Sequence, residues 1–372
     1  MKGTQAPRAV LLMSRELGAG GTERQLAQTA LTLDRARFEP HVACFDASGF
    51  HTAKLQQAGI PVLELPVRSL MGWSAVDGAR RLGRYLREYR IQVVHAFDVP
   101  MDMFGVPVAR FFRTPVVISS QRAPRSLTPG RHTRMLRLTD RMVGAVVVNS
   151  RAVERELTGE HGVPQRLIRF WPNSLDPRQF PCEPRTRRPE LAGAKLVIGS
   201  LCALRPEKGL DLLLEAYAAV RPEGGQLLIV GSGPAEAVLK QHAQSLGLGD
   251  ACRFVPMVTN VNEWMRSIDI FVLPSRAESF SNSLMEAMAS GCCCVASDAG
   301  GIPELVEHMA NGMLFAANDA VALAHVLRMS IADATLRARV AGAAAQHIRR
   351  NFSAEASAER AASLYAELLE RR

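Results

Sequence analysis

The segment Asp269-Ile-Phe-Val-Leu-Pro-Ser-Arg-Ala-Glu278-Ser-Phe-Ser-Asn-Ser-Leu-Met-Glu286-Ala-Met-Ala-Ser-Gly291 holds a strand, a loop, a helix and a glycine stop, in that order. Ile270 to Leu273 is a short apolar run of the kind a buried parallel strand uses. Pro274 and Ser275 break it. Ser281, Asn282 and Ser283 offer helix caps, Leu284 to Ala289 favours helix, and Gly291 ends it. Two carboxylates follow the strand, Glu278 on the loop and Glu286 about one turn into the helix. At the carboxyl edge of an α/β sheet such groups face a ligand crevice, beside a helix N-terminus suited to an anion. Glu286 has a second reading. Ser283-Leu-Met-Glu286 fits a capping box, in which the carboxylate satisfies a backbone N–H.

The same rhythm extends outward in both directions. Upstream, apolar runs at Arg8–Ser14, Phe38–Phe45, Val62–Leu65, Ile91–Ala96, Val116–Ser120, Ala145–Asn149 and Leu167–Trp171 alternate with amphipathic segments. Downstream of residue 195 the strands are expected at Leu196–Leu201, Gln226–Val230, Cys252–Val255, Ile270–Leu273, Cys292–Ala296 and Met313–Phe315. Helices are expected at Leu210–Val220, Ala235–Leu246, Ser283–Ala289, Ile302–His308 and Ala320–Met329. The last forty or so residues are rich in Ala, Arg and Glu and read as helix. Repeated βαβ units imply parallel, doubly wound sheets. The stretch 176–195, with Pro177, Pro181, Pro184 and Pro189 and no periodicity, reads as a linker. The expected organisation is a Rossmann-like N-terminal domain over 1–175, the linker, a Rossmann-like C-terminal domain over 196–350, and a terminal helix over 351–372 returning to the first domain.

Composition narrows the function. At 372 residues the chain exceeds one ordinary core. No apolar run reaches the roughly 18 residues a bilayer span needs. The N-terminal residues 1–5 carry no signal-peptide core, so a cytoplasmic protein is expected. Seven cysteines without CxxC spacing, three of them consecutive at Cys292-Cys293-Cys294, point to reduced buried thiols. The formal charge is +9, and it is lopsided. Residues 1–175 carry 25 Lys and Arg against 14 Asp and Glu, whereas residues 176–372 carry 20 against 22. An anionic partner for the first half follows: nucleic acid, a lipid surface or a phosphate-bearing substrate. With aromatics at 6% and no stacking platform, nucleic acid is not expected.

Several βα junctions carry chemistry. Gly18-Ala-Gly20-Gly21-Thr22-Glu23 follows the first strand but does not fit GxGxxG, which argues against a dinucleotide. Its glycines let backbone N–H groups approach an anion. His95 ends the fourth strand, where either a structural or an active-site role is open. Arg205 and Lys208 open the helix after the first strand of the second half; together they can reach one phosphate group. Gly231 and Gly233 form another such turn, and Gly300-Gly301-Ile302-Pro303-Glu304 a third.

Taken in order, these motifs resemble the retaining GT-B glycosyltransferases of family 4 over nearly the whole chain. Glu278 and Glu286 match that family's E-x7-E pair, Arg205-x-x-Lys208-Gly209 its diphosphate-binding pair, and Gly20-Gly21-x-Glu23 its glycine loop. Pro172-Asn173 through Phe180 matches its hinge, and Val94-His95-Ala96 its strand-end histidine. Three departures stand out: Ser279 and Ser281 replace two frequent glycines, Cys293 a frequent proline, and Phe97 a frequent second histidine.

The resemblance implies an α/β, GT-B architecture of two Rossmann-like domains facing a cleft. It also implies transfer of a sugar from a UDP- or GDP-sugar to a hydroxyl acceptor, with retention and without a metal or other cofactor. Glu286 would hold the donor ribose and Glu278 the sugar. Arg205 and Lys208 would hold the diphosphate, and His95 would sit near the transferred sugar. Gly20, Gly21, Gly231, Gly233, Phe280, Ser281, Asn282 and Ser283 would complete the donor pocket. The acceptor is expected to be a lipid-linked saccharide in cell-surface or exopolysaccharide synthesis. Arg122, Arg131, Arg134, Arg137 and Arg141 are the candidates for contact with it or with an anionic inner membrane face, and Arg80, Arg81, Arg84 and Arg87 form a second basic helix. A nucleotide-sugar epimerase of the same shape and a non-catalytic nucleotide-sugar binding protein are the alternatives.

Overall fold

In a computed structural model of the chain, the described residues are 6–371, so residues 1–5, read above for a signal sequence, lie outside them. The chain divides into two units, one of residues 1–174 with 354–372, the other of residues 175–353.

The first unit contains β1 (Arg8–Met13), α1 (Gly21–Thr32), β2 (Phe38–Cys44), α2 (Thr52–Gln57), β3 (Val62–Glu64), α3 (Trp73–Glu88), β4 (Val93–Ala96), α4 (Val99–Phe111), β5 (Val116–Gln121), α5 (Gly130–Thr139), β6 (Ala145–Val148), α6 (Arg151–Gly159) and β7 (Ile168–Phe170). Its seven strands form one parallel sheet in the order β3-β2-β1-β4-β5-β6-β7. The second unit contains β8 (Leu196–Leu201), α7 (Leu210–Val220), β9 (Gly225–Val230), α8 (Glu236–Ser245), β10 (Cys252–Val255), α9 (Val261–Arg266), β11 (Ile270–Leu273), α10 (Asn282–Ala289), β12 (Cys293–Ser297), β13 (Met313–Phe315), α11 (Ala320–Ala332) and α12 (Ala334–Asn351). Its sheet is also parallel, in the order β10-β9-β8-β11-β12-β13. The last helix, α13 (Ala354–Glu370), belongs to the first unit and packs on α1.

Each sheet reverses its strand order once, between β1 and β4 and between β8 and β11. A ligand crevice opens at such a reversal because the two flanking crossovers leave on opposite faces. The strands there are apolar on both faces, as covered parallel strands must be. Ile270, Phe271, Val272 and Leu273 are all fully buried, each stabilising the unit by about 1.5–3 kcal/mol. They hold the loop that follows them on a rigid edge.

One local expectation gives way, and the tail and the linker stretch gain detail. Ile302–His308 is no helix: one 3-10 turn over Ile302–Glu304 ends in a loop where Met309 takes a positive φ of 64°. The helical tail is two helices that serve different units, since Ser353 pairs with Leu175 and interrupts it. The stretch 176–195 lies docked along the second unit. Arg187 bonds the Ser267 carbonyl and the Asp269 carboxylate at 2.5 Å each, the Arg188 N–H meets Ser267 Oγ at 3.0 Å, and Leu191 is buried. The seven cysteines are free, and Cys292, Cys293 and Cys294 are buried, with burial pushing the Cys293 thiol up to about 12.

Candidate functional site

At the reversal of the second sheet, two loops meet edge to edge. The first leaves β8 and contains Arg205, a 3-10 turn over Pro206–Lys208, and Gly209, which precedes α7. Gly209 has φ 63°, and a Cβ there would collide with the Pro274 carbonyl oxygen, so only glycine permits this approach. The second loop, 274–281, leaves β11 and enters α10. The Arg276 N–H bonds the Glu207 carbonyl at 2.8 Å. The Arg276 guanidinium bonds the Pro206 carbonyl at 3.1 Å and both oxygens of Asp211, at 2.7 and 2.5 Å. This two-pronged contact holds the loops in one register.

Lys208 and Glu278 meet across that seam at 2.5 Å, with side chains only 19% and 11% exposed. Burial works against the Lys208 ammonium, but the charge and hydrogen bond of Glu278 outweigh it and raise its pKa above the ordinary value. Arg205, on the same turn, is largely exposed, and its nearest carboxylate is Glu207 at 4.0 Å. Gly300 (φ 57°) presses on the Glu278 carbonyl from below, where a Cβ would collide, and the Gly301 N–H bonds that carbonyl at 3.2 Å. Glu278 is thereby fixed through its backbone as well as its side chain.

The helix α10 begins two residues earlier than the capping-box reading of Glu286 requires. Ser281 is the N-cap, its Oγ accepting the Leu284 N–H at 3.3 Å. Glu286 is therefore the fifth helical residue, too deep to cap, and is buried. Asn282 and Ser283 occupy the first turn, half-buried, where N–H groups point out of the helix end. Phe280 spends its side chain on the core, 5.4 Å from the Phe352 ring. Gly231 and Gly233 lie against the backbone of Cys202 and Leu204, supporting the Arg205 turn from beneath.

The first unit differs more from expectation. Gly20 caps α1 in an extended conformation and Gly21 opens the helix, with the Glu23 carboxylate folded over Gly20. His95 is fully buried. Its ring nitrogens meet Tyr365 Oη and Ser120 Oγ, both at 2.8 Å, and it packs beside Phe97 and Trp171. Burial drives its pKa well below the ordinary value, with Arg122 adding to the effect. The expectation of an open strand-end histidine is corrected: His95 is a buried ring with both nitrogens hydrogen-bonded.

Arg122 is corrected too. Its guanidinium lies 5.0 Å over Phe97 and 5.8 Å over Trp171 and donates to Asn173 at 2.9 Å, so it faces rings rather than a membrane. Burial lowers its pKa to about 10. Arg131, Arg134, Arg137 and Arg141 are exposed on and just beyond α5. Asp98 caps α4 at the sheet reversal, accepting from Met101 N–H at 3.0 Å, Arg15 N–H at 2.6 Å and Ser14 Oγ at 3.0 Å. Burial raises its pKa and that of nearby Glu23.

Residues 195–333 match the family described as Glycosyl transferases group 1, and residues 19–179 match Glycosyltransferase Family 4. LpsB, a lipopolysaccharide core biosynthesis mannosyltransferase of Rhizobium meliloti, is 31% identical over 258 residues, 66% of this chain and 71% of LpsB. The chain belongs to glycosyltransferase family 4. LpcC of Rhizobium leguminosarum, another lipopolysaccharide core mannosyltransferase, is 32% identical over 180 residues, which span about half of it (51%) and 46% of this chain. Among solved structures, Anabaena HepE in complex with UDP and glucose superposes with a TM-score of 0.85, covering 96% of this chain and 99% of HepE at 22% identity.

The family 4 fold thus accounts for both sheets, with GT-B units that each carry βα loops at one reversal. In this glycosyltransferase the second unit brings Lys208, Glu278 and the α10 N-terminus together, while the Arg276–Asp211 clamp was missed by sequence reasoning. Nothing in the sequence pairs two charged residues 65 positions apart; only the adjacency of β8 and β11 does. Among the described residues, no helix is long and apolar enough to cross a membrane.

Proposed function

We propose that this glycosyltransferase moves a sugar from a UDP- or GDP-sugar to a hydroxyl of a lipid-linked saccharide, in the assembly of a cell-surface or exopolysaccharide. The observation that carries the reading is the Lys208–Glu278 pair at the sheet reversal, beside exposed Arg205 and the α10 N-terminus. A diphosphate placed there would take its counter-charge from Arg205, Lys208 and the first-turn N–H groups. Freed from Lys208, the Glu278 carboxylate would accept hydroxyls of the sugar, and Glu286 those of the ribose. LpsB and LpcC, named for lipopolysaccharide core synthesis, support the polysaccharide setting, and HepE, solved with UDP and glucose, supports a UDP-linked donor.

In the proposed reaction the bond from the anomeric carbon to the β-phosphate oxygen breaks. The acceptor oxygen bonds that carbon from the same face, and its proton passes to the departing phosphate. Arg205 and Lys208 stabilise the charge that grows there, which is where preorganised cations lower a barrier most. The reading expects metal-independent turnover at the cytoplasmic face of a membrane, with the exposed α5 arginines toward anionic lipid.

Incubation with UDP- and GDP-sugars, with and without EDTA, tests it by free nucleotide released and by the anomeric proton signal of the product. One donor should be consumed equally in both arms, with retention. A donor that binds but is neither transferred nor hydrolysed overturns the enzyme reading. Conversion of the nucleotide-sugar itself to an epimer would replace it.

A further inference from the structure

On the first unit, the chain between β3 and α3 turns outward at Leu70-Met71-Gly72-Trp73. Met71 is 94% exposed and Trp73 85% exposed, a large apolar pair presented at the start of a helix. Soluble domains seldom leave two such neighbours in water without a partner. Along α3, Trp73, Val76, Arg80 and Arg84 recur at spacings of 3, 4 and 4, so they share one solvent-facing stripe. The opposite side, with Gly78, Leu82 and Leu86, is buried. Arg81 is exposed beside the stripe and Arg68 is exposed just before the helix, while Asp77 and Glu88 are exposed carboxylates on the same face.

The stripe has a neighbour of the same kind. Helices α3 and α5 both pack against α4. The outward face of α5 carries Arg131, Arg134, Met135 and Leu138, the last 60% exposed, and residues 130–139 contain no Asp or Glu. Apolar side chains ringed by arginines match the interfacial layer of an anionic bilayer: tryptophan settles at headgroup depth, and guanidinium groups meet phosphates.

We propose that Met71 and Trp73 insert into the interface of an anionic membrane, with the α3 and α5 arginines on its headgroups. This goes beyond a surface held by charge alone, and it rests on the reading above only for which membrane matters. The test uses the full chain with vesicles of phosphatidylcholine alone or mixed with phosphatidylglycerol. Of the three tryptophans, Trp171 and Trp264 are buried, so emission changes report Trp73. Mixed vesicles should shift that emission to the blue and shield it from acrylamide. The double variant M71S/W73S should partition at least about tenfold more weakly in co-sedimentation, because the buried apolar area is gone. Both substituted positions are exposed, so its melting temperature and its thermal shift with UDP should match wild type; those readouts report the donor site independently.

Three results overturn the proposal. In one, the double variant binds mixed vesicles as tightly as wild type. In another, Trp73 remains open to acrylamide on them. In the third, lipid-free wild type is a dimer by light scattering and M71S/W73S a monomer, which makes the tip an interface between copies.

Discussion

Glu278→Gln isolates what the Lys208 pair does. The substitution keeps the size of the side chain and removes its charge. With 19% and 11% exposure, the pair sits closer to the buried than to the surface case. Breaking a buried pair by removing one partner costs about 3–5 kcal/mol, and the residual exposure here brings the expectation down to roughly 2–3 kcal/mol. For a unit of the size of residues 175–353, each kcal/mol moves the melting temperature by about 2–4 °C, so a fall of roughly 4–12 °C is expected. The cause is specific: Lys208 keeps the burial that disfavours its charge and loses the carboxylate that offset it. A diphosphate supplies the missing counter-charge. UDP should therefore raise the melting temperature of Glu278→Gln by more than it raises that of wild type, while sugar transfer is lost. Differential scanning fluorimetry with and without UDP measures both. A variant as stable as wild type, or one that UDP stabilises no more than wild type, refutes the idea that Lys208 passes from Glu278 to the diphosphate.

Other outcomes follow from the same geometry. Asp211→Asn should cost under about 1 kcal/mol in stability, since the pair is partly exposed, yet raise the donor KM several-fold by loosening the two loops; steady-state kinetics with varied donor reads this. Glu286→Ala should weaken UDP binding about tenfold or more and leave it indifferent to a missing ribose hydroxyl, which calorimetry with UDP and its 2′-deoxy analogue detects. Gly300→Ala, at φ 57° against the Glu278 carbonyl, should destabilise by about 2 kcal/mol or more and abolish transfer; denaturant unfolding with a transfer assay checks it. Tyr365→Phe should destabilise the first unit by about 1–2 kcal/mol while UDP binding is unchanged. His95 also gives a pH signature. Its folded pKa is lowered, so the unfolded chain binds the extra proton, and stability should fall as pH drops below about 6.5, an effect that His95→Phe should blunt in urea melts run across pH.

The sequence by itself determined the α/β architecture. Strand runs such as Ile270–Leu273 and stops such as Pro274 and Gly291 are local signals, carried by neighbours within a few residues, and their order implies right-handed βαβ crossovers and parallel sheets. The spacing of Glu278 and Glu286, and the cations at Arg205 and Lys208, were likewise legible because each group sits at a βα junction. Tertiary structure decided what those groups touch. Lys208 and Glu278 meet because β8 and β11 are adjacent, and Arg276 finds Asp211 across the same seam. Ser281 rather than Ser283 caps α10, which moved Glu286 out of the capping position into the helix body. His95 looked like a strand-end ligand until α13, arriving 270 residues later with Tyr365, closed over it. Such contacts depend on which distant segments the fold makes neighbours, and that information is in no short stretch of chain.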